Sequence, residues 1–180
     1  MHGWAWLRTL LRTGIGGRSQ VEWGEGMRRR NDRHDVIRDI IRTERITTQR
    51  ALVESLRGRG YDCTQATVSR DIKDLNVRKV EGGVYALVED IHLTRMVHDL
   101  VDEVKRTGNL ALVKSSTGTA SGVAAALDAT ELPGVMGSIA GDDTILVICE
   151  DEESAEKFVT IIEGLLPEEV PEDEEFGEEE

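Results

Sequence analysis

Two clusters of residues in this chain have the types and spacing for chemistry. The first is Gly141-Asp142-Asp143-Thr144, where two adjacent carboxylates follow a glycine. Three chemistries fit that pair. Gly-Asp is common turn composition. Paired aspartates ligate divalent cations, although no third carboxylate or nucleophile motif accompanies these. Paired carboxylates also match the planar donor fork of a guanidinium. Upstream, Ser116 to Gly122 (STGTASG) lacks the G-K-[ST] ending of a phosphate-binding loop. It does open a helix, and the N–H groups of a helix start suit a carboxylate. A helix start for a carboxylate and two aspartates for a guanidinium would accommodate a free amino acid such as arginine, but an ordinary surface turn has the same composition.

The second cluster is Thr64 to Leu75, TQATVSRDIKDL. On a helical wheel Val68, Ile72 and Leu75 share one face, while Ala66, Ser69, Arg70 and Lys73 point away from it. Gln65 and Thr67 lie near the N-terminus, the end that usually enters a major groove. Small residues allow close backbone approach, and Arg or Lys reaches guanine edges and phosphates. A solvated amphipathic helix would show the same wheel, so the surroundings must decide. Residues 28–80 hold 14 Lys/Arg against 8 Asp/Glu, a net +6, whereas residues 81–165 are -11 and residues 166–180 are -9. The overall charge of -13 therefore hides a basic module ahead of an acidic one. That split points to double-stranded DNA as the partner of the helix. RNA would want exposed aromatics for stacking, for which Tyr85, just downstream, is the only candidate.

The elements that must position these clusters are legible in outline. Val36, Ile37, Ile40 and Ile41 mark a first helix from Asn31, with Asn31 or Asp32 as its cap. A second helix follows Thr47 or Thr48 and ends at Gly58 and Gly60. Thr64 caps the third. VRKV and VYALV flank Glu81-Gly82-Gly83 as a hairpin. Three helices and a hairpin make a winged helix-turn-helix over residues 27–88, with a core of Ile37, Ile40, Ile41, Leu52, Leu56, Val68, Ile72, Leu75, Val80 and Leu87. Residues 89–94 read as a short polar connection. Beyond it, Met96 to Val104 reads as a helix behind Thr94, Asn109 to Lys114 as a strand and Thr119 to Thr130 as a helix. Val135 to Ala140 and Thr144 to Cys149 read as strands, and Asp151 caps a last helix. The order α-β-α-β-β-α over residues 95–166 predicts a two-layer α/β sandwich, its helices covering one sheet face. The class expected is thus α+β. Residues 1–26 read as a disordered extension ahead of a start at Met27, and the acidic tail 167–180 as too poor in apolar residues to fold.

Other signals exclude functions. No run of about 18 apolar residues exists, so no helix is expected to span a membrane, and a cytoplasmic setting fits. Cys63 and Cys149 form no C-x-x-C pattern and read as small buried thiols. His2, His34, His92 and His98 have no metal-ligand spacing. No catalytic or metal residue and no cofactor is expected, though a small metal-dependent enzyme using Asp142 and Asp143 is the competing class.

Taken together, TQATVSRDIKDL, GTASGVAAALD and GSIAGDDTILVI, in that order, resemble the bacterial arginine repressor family over Arg28 to Leu166. The resemblance implies a winged-helix DNA-binding domain joined to a hexamer-forming α/β domain, with L-arginine bound as corepressor where two trimers meet. It implies Ser69 and Arg70 as the pair that reads DNA, with Gln65 and Thr67 beside them; Lys73 joins them from the wheel. It implies Asp142 and Asp143 as ligand-binding residues, with Asp128 and Ser121 near the ligand. Thr117 stands where the family often has Pro, and Ser121 where it often has Gln. An arginine-dependent repressor of arginine biosynthesis is the expected function. An activator of arginine catabolism, or a sensor of another amino acid, is the alternative.

Overall fold

The computed structural model describes residues 25–167, so the readings of 1–24 and 168–180 lie outside the described residues. Two cores are present. The first belongs to a winged helix-turn-helix: α1 (Glu25–Thr43), α2 (Gln49–Gly58), α3 (Gln65–Asp74), β1 (Val77–Lys79) and β2 (Tyr85–Leu87). Helix α1 begins ahead of Met27, so Asn31 and Asp32 sit inside it rather than capping it. Thr48 caps α2, accepting from Ala51 N–H at 3.1 Å, and Gly60 turns the chain out at φ 86°. Thr64 caps α3, accepting from Thr67 N–H at 3.3 Å. Strands β1 and β2 pair antiparallel, Val77 opposite Leu87 and Lys79 opposite Tyr85. The tip between them needs positive φ at Gly82 and Gly83, at 78° and 71°, which glycine adopts without a Cβ penalty. Ile37, Ile40, Leu52, Leu56, Val68 and Leu87 are fully buried together. Val80 is only half-buried; Val77 and Tyr85 fill the hairpin side of the core instead.

The second core lies between three helices and a four-stranded sheet, a two-layer α/β sandwich. Its elements are α4 (Val88–Leu100), β3 (Val101–Thr107), β4 (Leu110–Ser115), α5 (Ala120–Thr130), β5 (Val135–Ala140), β6 (Thr144–Cys149) and α6 (Glu152–Glu163). The order is α-β-β-α-β-β-α, one strand more than expected. Residues 89–94, expected as an irregular connection, are helical and belong to α4. Thr94 sits within that helix, donating its hydroxyl to Asp90 O at 2.8 Å. Val101 and Val104 belong to β3, not to a helix. A bulge between Val101 and Glu103 puts both valines on the buried face at an i, i+3 spacing, which imitates helical periodicity.

The strand order is β3-β4-β6-β5, all neighbours antiparallel. Ala111, Val113, Ile145, Val147 and Cys149 form the inner face under Leu93, Val97, Val123, Leu127 and Phe158. Asp151 caps α6, accepting from Ser154 N–H at 2.8 Å. The outer face carries Leu110 opposite Ile148, and Leu112 and Ile139 both opposite Leu146. Leu112 is 39% exposed, Ile139 63% and Met136, at a bulge in β5, 71%. An apolar sheet face is therefore left open among the described residues.

Candidate functional site

Helix α3 is held against α1 by charge as well as by its apolar stripe. Asp71 is buried, and Arg33 grips it with two donors, Nε at 2.7 Å and Nη2 at 2.9 Å. His34 Nε2 lies 2.9 Å from the same carboxylate. Burial pushes the Asp71 pKa up, but the bonds from Arg33 and His34 outweigh it and hold the carboxyl below its ordinary range. Arg30 meets Asp74 at 2.6 Å. Oxygen and nitrogen atoms of His34, Asp71 and Asp74 thus gather within 4.8 Å, a cluster invisible in the sequence spacing. Two guanidiniums already supply its positive charge. Part of the basic run in the first turns of α1 therefore serves the fold and is not free for a partner.

Pairing sorts the remaining cations. Arg38, Arg42, Arg50, Arg57 and Arg59 in the first core's module all face carboxylates. So do Arg95, Lys105, Arg106, Lys114 and Lys157 downstream. Among the described residues whose side chains are placed, the cations without a carboxylate partner are Arg45, Arg70, Lys73, Arg78 and Lys79. All five belong to α3, the hairpin and the turn before α2. Lys79 sits over the Tyr85 ring, 5.1 Å from its centroid. A Cβ at Gly82 would lie 3.6 Å from the Arg45 guanidinium, so Arg45 borders the hairpin tip. Gln65, Arg70 and Lys73 are exposed, and Thr67 and Ser69 half-exposed. Gln65 donates to Gln49 at 3.4 Å across the turn between α2 and α3. Ser69, Arg70 and Lys73, expected outward from the wheel, are thus at least half-exposed, and Gln65 and Thr67 lie at the helix start. Arg45, Arg78 and Lys79 were missed, because composition does not distinguish a paired arginine from a free one.

The acidic turn lies at the start of α5. Gly118 N–H donates to Asp142 O at 3.0 Å and Ala120 N–H at 3.3 Å, while Ser115 N–H donates to Asp143 O at 2.8 Å. Donors expected to be open for a ligand carboxylate are thus spent on the turn's own backbone, which anchors it. The two side chains then differ. Thr144 donates its hydroxyl to Asp143 at 2.7 Å, and Lys114 Nζ reaches the other oxygen at 3.1 Å. Those bonds, Thr144 first, hold the Asp143 pKa below the usual carboxylate range. Asp142 is exposed and its carboxylate has no partner among the described residues. Ser121 is exposed in the first turn of α5. Asp128 lies seven residues further along α5, about 10 Å at 1.5 Å per residue. It accepts from the Ser138 hydroxyl on β5 at 3.0 Å. The structure thus brings Ser121, Asp142 and Asp143 to one end of α5 and places Asp128 towards the other.

Comparison with known proteins places both modules. The family model described as the arginine repressor DNA binding domain matches residues 28–92, and that of the arginine repressor C-terminal domain matches residues 97–164. The arginine repressor of Caldicellulosiruptor saccharolyticus is 41% identical over 147 residues, spanning 76% of this chain and 97% of its own length. That of Thermus thermophilus is 41% identical over 148 residues, 76% of this chain and 90% of its own. That of Staphylococcus carnosus is 42% identical over 150 residues, 78% of this chain and all of its own.

Proposed function

This chain belongs to the arginine repressor family, and from that premise we propose that it represses arginine-biosynthesis genes, binding operator DNA with L-arginine as corepressor. The observation that carries the DNA half is the confinement of partnerless cations to α3, the hairpin and the adjoining turn. Phosphates supply the missing counter-charge, releasing condensed cations as they bind. Ser69, Arg70 and Lys73, with Gln65 and Thr67 at the leading end, read base edges, while Arg45, Arg78 and Lys79 hold the backbone on either side.

One such module makes a small interface. Linking several copies raises affinity through effective concentration. The open apolar face of the β3-β4-β6-β5 sheet suits self-association into a trimer or hexamer, since apolar patches of this kind mark protein contacts. Copies so joined bring their acidic turns into proximity, and the like charges oppose assembly. A ligand guanidinium offsets that repulsion by engaging Asp142, the free carboxylate, with Asp128 and Ser121 completing the polar surroundings. Ligand binding and assembly are then reciprocally linked.

The test measures oligomer mass and operator affinity with and without L-arginine, for the natural chain and for Asp142→Asn. Arginine is expected to raise both in the natural chain. In Asp142→Asn, ligand binding weakens by roughly 1.5–3 kcal/mol, the worth of a hydrogen bond to a charged group. A natural chain indifferent to arginine in both measurements sinks the corepressor reading. Tighter binding with another amino acid would redirect it.

A further inference from the structure

Arg42, on the last turn of α1, reaches out of the winged helix. Its guanidinium grips Asp90 on the first turns of α4 through Nε at 3.0 Å and Nη2 at 2.7 Å. The same Nη2 donates to Thr130 O at 2.9 Å. The pair is nearly dry, with side-chain exposures of 9% and 4%. Arg38, one turn earlier, faces Glu89 and Glu131, each at 3.8 Å. Thr130 is the last residue of α5, so its carbonyl is one of the acceptors a helix end leaves without an internal donor. A cation there also meets the negative end of the helix dipole.

The other end of α5 is the segment bonded to Asp142 O. An 11-residue helix, about 16 Å long by its rise, therefore spans from the acidic turn to a guanidinium owned by the DNA-reading module. We infer that Arg42 is a positioning residue: its fork sets the winged helix on the C-terminal end of α5 and transmits the state of the acidic turn to it. A buried pair of this kind adds orientation more than stability, because desolvation offsets much of its attraction. Lysine in its place would keep the charge but not the fixed fork that meets a carboxylate and a carbonyl together. The transmission half of this inference rests on the proposed arginine dependence; the positioning half does not.

The test takes the full chain in its natural form and as Arg42→Lys and Arg42→Gln, Lys being the variant that spares the charge. Operator affinity is measured with and without saturating L-arginine. Methyl relaxation follows Ile37, Ile40 and Ile72 in one core and Ile145, Ile161 and Ile162 in the other. In the natural chain both sets are expected to tumble as one body. In Arg42→Lys the first set gains independent motion and affinity for L-arginine itself holds. The arginine-linked gain in operator affinity falls to within about twofold of unity, where couplings typically run about 5–150-fold. A variant that melts lower yet keeps the gain and the single tumbling overturns the assignment. So does independent motion of the first set in the natural chain. A natural chain that tumbles as one body but ignores arginine overturns the corepressor reading alone, and the relaxation of the variants then decides the positioning role.

Discussion

Five arginines and lysines in the winged-helix module differ from their neighbours by what they lack. Arg33 has Asp71 and Arg42 has Asp90, whereas Arg45, Arg70, Lys73, Arg78 and Lys79 have no carboxylate among the described residues. The proposed roles separate on substitution. Arg70→Ala should cost about 1–3 kcal/mol of operator discrimination if it reads a base edge, with L-arginine affinity unchanged. Filter or fluorescence titration of operator and scrambled DNA measures this, and equal losses on both sequences would make Arg70 a phosphate contact. Lys79→Ala should weaken both DNAs alike and lower the salt slope by about 1. An unchanged slope would remove it from the interface. The wheel of α3 had already placed Ser69, Arg70 and Lys73 outward, because period and polarity settle which way a helical residue points. Arg45 in the turn and Arg78 and Lys79 in the hairpin were illegible because pairing depends on which carboxylates folding brings near.

At the scale of elements, α3 is set by a cap, a stripe and one buried carboxylate. Thr64→Ala removes the cap and should cost about 1 kcal/mol in urea melts. Asp71 contributes differently with pH. Its folded pKa lies below its unfolded value, so its stabilisation is fully present above about pH 4 and is lost as pH falls through the folded value. The natural chain should therefore lose stability more steeply than Asp71→Asn below about pH 4, as followed by urea melts at stepped pH. Parallel curves would show that the carboxylate adds nothing. Element type was legible wherever a cap or a short run of branched apolar residues marked it, as at Thr48, Thr64, Asp151 and Thr144–Cys149. It failed at β3, where a bulge gave strand residues a helical spacing. It failed also at residues 89–94, whose polar look reflects Asp90 and Glu89 turning to face arginines of α1.

At the scale of the whole molecule, the proposed function makes assembly the controlling variable, acting through the open sheet face and the acidic turn. Ile139→Glu, placed on that exposed face, should lower the oligomer mass seen by sedimentation while the subunit's melting cooperativity persists. An unchanged mass would move the interface elsewhere. The sequence by itself determined the two modules, their opposite charges, the outward side of α3 and the identity of the acidic turn. Those follow from periodicity, caps and local composition, which act over a few residues. Only the tertiary structure decided which cations are free, which of Asp142 and Asp143 is already held by Lys114, and that Arg42 closes on Thr130. The contacts of Lys114 and Arg42, like that of Arg33 with Asp71, join partners tens of residues apart in the chain, and proximity between such partners is created by packing, not by spacing.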